Sequence, residues 1–145
     1  MSSRDEVTER IAAGMRQVIA ASVLTNERIA RTIGLSVVDT QTLGIISMAE
    51  SPLTAGEVSA ATELPSSTTT RVLDRLENAG LIARSADPSD RRKVVVSTTP
   101  RMLEVLGPAY GSILQELAAM HEGFSVAELE VVARYLEASV GIGRA

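Results

Sequence analysis

Two groups of side chains in this chain are placed to do chemistry on a polyanion. The first is the run Ser66, Ser67, Thr68, Thr69, Thr70 and Arg71, followed at helical spacing by Asp74 and Arg75. The second is the basic cluster Arg91, Arg92 and Lys93, which follows the turn-forming segment Asp87-Pro88-Ser89-Asp90. Hydroxyls hydrogen-bond to phosphate oxygens or base edges, and an arginine fork matches O6 and N7 of guanine in a major groove. A finger that ends in arginine suits a narrow minor groove, where negative potential is concentrated.

The elements that must carry these groups are legible around them. On a helical wheel from Pro65 to Gly80, Thr69, Val72, Leu73 and Leu76 fall on one side and face a core, which leaves Ser67, Thr70, Arg71 and Asp74 opposite. Gly80 is a left-handed stop for that helix. Leu81 to Ala86, then Asp87 to Arg92, then Lys93 to Ser97 read as strand, turn, strand, with a β-branched valine run in the second strand. The combination is a recognition helix followed by a wing. The alternative is an ordinary solvated helix and hairpin whose charges only keep them soluble.

The overall charge of −4 speaks against a polyanionic partner, but its distribution does not. Residues 64–101 hold seven cations against four acids, a balance of +3, so the remainder carries −7. At physiological salt the Debye length is about 8 Å, so the local charge governs phosphate contact.

Upstream and downstream the pattern is helical. Val7, Ile11, Met15, Val18, Ser22, Ile29 and Ile33 lie close to one stripe of a long first helix over residues 5–33. Ser36, with Asp39 at N3, opens a second helix that runs to Met48; Thr54 and Glu57 form a capping box for a third that ends near Glu63. Pro65 forbids continuation into the fourth, which makes the pair a helix-turn-helix. A fifth helix from Thr99 to His121, with Thr99 as N-cap, carries Met102, Leu106, Tyr110, Ile113, Leu117 and Met120 on one stripe, and Gly107-Pro108 predicts a kink in it. Ser125 and Glu128 cap a sixth that runs to about Val140. This is more apolar surface than a small winged-helix core can cover, so Val7, Ile11, Leu106, Tyr110, Ile113, Leu117, Leu129 and Leu136 are expected to line a dimer interface. A core-only role for the same stripes is the alternative.

Catalysis has little to stand on. His121 is the only histidine, there is no cysteine to share a metal or form a disulfide, and the hydroxyl run at 66–70 has no general base beside it. Gly141-Ile142-Gly143 is no phosphate-binding loop. No cofactor, metal or enzymatic activity is expected. The polar start of the chain and the lack of a long apolar run predict a cytoplasmic protein without membrane contact.

The segments Ser67-Thr68-Thr69-Thr70-Arg71-Val72-Leu73-Asp74-Arg75-Leu76-Glu77-Asn78-Ala79-Gly80-Leu81-Ile82-Ala83-Arg84 and Asp87-Pro88-Ser89-Asp90-Arg91-Arg92-Lys93 resemble the MarR-type (multiple antibiotic resistance regulator) transcription factors, and the likeness of architecture extends over nearly the whole chain. The resemblance implies a mainly α fold with a small β-hairpin wing, a winged helix-turn-helix core and N- and C-terminal dimerisation helices. It places a single domain over 1–145, a DNA-binding lobe at 36–98 with its recognition helix at 66–79 and wing at 82–97, and dimerisation helices at 5–33 and 99–140. By the same resemblance Asp90 fixes the wing through a carboxylate–guanidinium contact, Arg92 is its groove-reading tip and Arg84 a backbone contact at its base. The expected DNA-binding set is Ser66, Ser67, Thr68, Thr70, Arg71, Arg75, Arg84, Asp90, Arg91, Arg92 and Lys93. The favoured reading is a homodimeric regulator of double-stranded DNA, a repressor in most such families, on a pseudo-palindromic operator whose half-sites lie about 34 Å apart. A small molecule of unknown identity that enters the cleft between the dimer helices and the DNA-binding lobe would release it. The rival is a winged-helix protein-interaction module without DNA, against which the arginines and the 2% aromatic content both speak.

Overall fold

The structure is a computed structural model that describes residues 3–142. The sequence readings of the first two residues and of Gly143 lie outside it. Six helices and three short strands follow one another among the described residues: α1 (Arg4–Thr32), α2 (Val37–Met48), β1 (Leu53–Thr54), α3 (Ala55–Thr62), α4 (Ser66–Asn78), β2 (Ile82–Ala86), β3 (Val94–Thr98), α5 (Pro100–His121) and α6 (Val126–Ser139). The chain divides into two compact units, Met1–Val105 and Leu106–Ala145, and α5 begins in the first and continues through the second.

Local chemistry explains where the helices begin. Four of the six, α1, α2, α3 and α6, open with a reciprocal capping box: Ser3 with Glu6, Ser36 with Asp39, Thr54 with Glu57 and Ser125 with Glu128. Each box satisfies two backbone donors that the first turn leaves orphaned. α4 has no such cap; Pro65 stands at its N-cap, with a carbonyl that accepts from the Thr69 amide at 2.9 Å. α3 ends at Glu63 in the left-handed region with φ 57°, and α4 closes before Gly80 with φ 73°.

The first unit has the core. Val58 of α3, Val72, Leu73 and Leu76 of α4, Leu43 and Ile46 of α2, Val95 and Val96 of β3, and Leu81 and Ile82 are all buried. Ile29 and Ala30 tie the end of α1 to it. The sheet is antiparallel in the order β1-β3-β2, with Arg84 opposite Val96 and Ser85 opposite Val95. β1 goes beyond the hairpin read from the sequence. Two residues are too few to show alternation, and Thr54 does double duty: it pairs with Val95 and caps α3.

Thr99 differs from its expected use. Its hydroxyl donates to the carbonyl of Gly80 at 2.6 Å and its amide to that of Leu81 at 3.0 Å, while Nε of Arg101 donates to the carbonyl of Ala79 at 3.2 Å. The first turn of α5 thus satisfies acceptors at the end of α4. α5 continues as one helix with Pro108 inside it.

In the second unit, neither the remainder of α5 nor α6 buries a residue. Leu114, Leu117, Met120, Val131, Val132, Tyr135 and Leu136 are exposed, and Leu106, Tyr110, Ile113 and Leu129 are half-buried. Val7, Ile11, Val18, Ile19, Val23 and Leu24 of α1 are exposed as well. No helix among the described residues is long and apolar enough to cross a membrane.

Candidate nucleic-acid interface

Packing fixes which face of α4 is free. Thr69, Val72, Leu73 and Leu76 are sealed in the core, as the wheel requires, so the opposite face must carry Ser66, Ser67, Thr70, Arg71 and Asp74, all exposed, with Thr68 half-buried at the flank. Thr70 donates its hydroxyl to the Ser66 carbonyl, 2.9 Å away, which leaves the oxygen's lone pairs outward. Among the described residues Arg71 takes part in no salt bridge.

The other arginines of this region are occupied. Arg75 reaches the carboxylate of Asp39 on α2, with Nε 3.1 and 3.2 Å from the two oxygens and Nη2 2.6 Å from Oδ1. Burial alone would raise the Asp39 carboxyl, but hydrogen bonds from Arg75 and Ser36 outweigh it and hold the group below its ordinary value. Arg84, at the base of the wing, lies between two acids of α4: Nη2 donates to Asp74 at 2.8 Å and Nη1 to Glu77, whose carboxylate also accepts from the Arg84 amide at 3.3 Å. Burial works against the charge of Arg84, and the two carboxylates more than offset it. β2 is therefore clamped to the recognition helix.

The wing tip is shaped by its acids. The Asp87 carboxylate accepts from both the amide and the hydroxyl of Ser89 at 2.7 Å, and these bonds hold it below the ordinary carboxylate range. The hairpin closes through Asp87 N to Lys93 O and Lys93 N to Asp90 O, both 2.9 Å. Asp90 then accepts from the Arg92 amide at 3.1 Å and from its Nε at 3.3 Å, so the guanidinium is braced while the side chain stays 92% exposed. Arg91 and Lys93 are exposed beside it, in no salt bridge among the described residues.

The structure thus brings most of the sequence-derived set into two groups, exposed except for the half-buried Thr68 and Asp90: Ser66, Ser67, Thr68, Thr70 and Arg71 on α4, and Asp90 to Lys93 at the tip. It gives Arg75 and Arg84 carboxylate partners. Asp39 and Glu77 were absent from that set. Asp39 lies 36 residues from Arg75, so no local spacing signals the pair, and it reads from sequence only as a helix cap. Such an array can bind anions and read base edges. No group of three or more His, Cys, Asp or Glu among the described residues could hold a metal ion.

Residues 33–93, which span α2 to the end of the wing tip, match the family model described as MarR family. Over 95 residues the chain is 37% identical to YcgE of Bacillus subtilis (strain 168), an uncharacterized HTH-type transcriptional regulator, across 66% of this chain and 61% of that one. The chain spans about three fifths of the length of the curated relatives it matches. Among solved structures, the MarR family transcription regulator SP03579 is 25% identical with a TM-score of 0.65, over 92% of this chain and 87% of that one. The fold also matches that of the S. aureus MepR–DNA complex, at 20% identity and a TM-score of 0.57, over 84% and 97% of the two chains. Helix-turn-helix, clamped wing and matching segment coincide: over residues 33–93 the chain matches the MarR family, and its fold resembles that of a MarR family transcription regulator.

Proposed function

We propose that this protein is a sequence-specific regulator of double-stranded DNA that acts as a homodimer and represses transcription. The observation that carries the reading is the pairing of an exposed, hydroxyl- and arginine-bearing face on α4 with a braced arginine finger in an otherwise acidic chain. α4 would enter the major groove and Arg92 the adjacent minor groove, with Arg71 the base reader of the helix. S. aureus MepR, which has this fold, is known in complex with DNA. The lobe is proposed to span 36–98.

Dimerisation through α1, α5 and α6 is supported by their exposed leucines, valines and isoleucines, more than a monomer ordinarily leaves in water. Two copies related by a two-fold axis would meet a pseudo-palindromic operator. Release by a small molecule completes the proposal. With Tyr110, Phe124 and Tyr135 the only aromatics, an effector held by ring stacking would have few partners.

The test is an anisotropy titration of purified protein against the DNA immediately upstream of its own gene, with random competitor in excess. Saturable binding that survives competitor, at two protomers per site, is expected. If neither this DNA nor any sequence selected from a random pool is preferred, the regulator reading fails and the protein-interaction module takes its place.

A further inference from the structure

The outward side of α4 has two arginines one turn apart, and they are in opposite situations. Arg71 has no counter-ion among the described residues, whereas Arg75 directs its fork to Asp39 on another helix. Asp39 is itself immobilised before Arg75 reaches it. Its Oδ2 accepts from the Ser36 amide at 3.1 Å, its own amide donates to the Ser36 hydroxyl at 3.1 Å, and its side chain is only 3% exposed. Arg75 is half-exposed, so DNA could touch it, but its charge is matched in place by a carboxylate that DNA cannot reach.

The core ridge of α4 is almost wholly apolar, and apolar contact is non-directional. It sets how deep the helix lies and which face it buries, but it holds the roll about the helix axis less tightly than a directional bond does. A planar guanidinium on a fixed carboxylate is directional. Base readout tolerates errors of only about 0.5 Å and 10–20° in the reading side chains. We infer that Arg75 is a positioning residue: its clamp on Asp39 sets the roll of the recognition helix on α2, so that preference for operator over random DNA depends on a buried acid. This rests on the DNA-binding reading above.

The experiment measures affinity against salt concentration for wild type, Arg75→Gln, Arg75→Lys, Asp39→Asn and the Asp39→Asn/Arg75→Gln double variant. Each is titrated with an operator selected by the wild type from a random pool and with random DNA. The expected result is an operator affinity about tenfold lower in each single variant, with no further loss in the double variant. Affinity for random DNA and the salt slope should stay at wild-type values. Arg75→Lys keeps the charge and loses the fork, so it answers the question even if the other variants fold poorly. Simple electrostatics predicts the opposite for Asp39→Asn, since loss of an acid favours a polyanion.

Three results would overturn the inference: Arg75→Gln lowering the salt slope by about 0.9 on both DNAs, the mark of one lost phosphate contact; Arg75→Lys binding as wild type does; or Asp39→Asn binding operator as well as wild type or better. Failure of the wild type to select any operator would remove the DNA reading and this inference together, and is thereby distinguished from a failure of the clamp alone.

Discussion

At the level of single residues, Arg71 and Arg75 separate two jobs that their shared residue type conceals. Arg71 is exposed and in no salt bridge among the described residues, so its loss should be felt in binding and not in folding. Arg71→Ala is expected to cost about 1 to 3 kcal/mol of operator affinity and to relax preference at one base position, with an unchanged melting temperature; selection of bound sequences from a random pool reads both. Asp39 behaves in the reverse manner. Its carboxyl is held below its ordinary value of about 3.8, so its contribution to stability is full at neutral pH and is lost as pH falls through the lowered value of the folded state. Urea unfolding across pH should therefore show a gap between wild type and Asp39→Asn that is constant above about pH 5 and closes in acid.

Among the elements, the end of α4 is held most closely. Gly80 adopts φ 73°, and a Cβ built there would stand 2.9 Å from Cδ of Arg101, the residue whose Nε serves the Ala79 carbonyl. Gly80→Ala should cost about 1 to 2 kcal/mol from backbone handedness alone and also displace Arg101, lowering the melting temperature measured by circular dichroism. The glycine stop was legible from the sequence, as were the buried side of α4, the N-cap of α2 and the capping boxes of α3 and α6, because each is written within a turn or two of one helix. What joins one element to another was not. The Asp39–Arg75 pair, the grip of Asp74 and Glu77 on Arg84 and the bond from Thr99 to Gly80 depend on how elements pack, which a residue type does not state. Thr99 has the right chemistry for a helix cap, yet its hydroxyl goes to a neighbouring helix end once β3 delivers it there. For the candidate site, the exposure of Ser67, Thr70 and Arg71 followed from the helical wheel, and the division into arginines with and without a carboxylate partner did not.

For the whole molecule, the charged lobe and the apolar helices pose separate questions. If α1, α5 and α6 are covered by a second copy, a charge on the exposed Leu117 should break the dimer. Leu117→Glu is expected to sediment as a monomer and to lose operator binding while its lobe keeps its fold; a persisting dimer would remove Leu117 from the interface. Thr54 bears on the lobe in another way. It is at once a strand partner of Val95 and the cap of α3, and Arg84 fastens β2 to α4, so sheet and helices share hydrogen bonds at several points. The wing is therefore expected to open together with the helices rather than as a detachable hairpin. In native-state hydrogen exchange the amides of Val96 and Leu73 should report the same opening free energy, and Thr54→Ala should lower both equally. A substitution at the wing root is therefore expected to loosen the recognition helix as well.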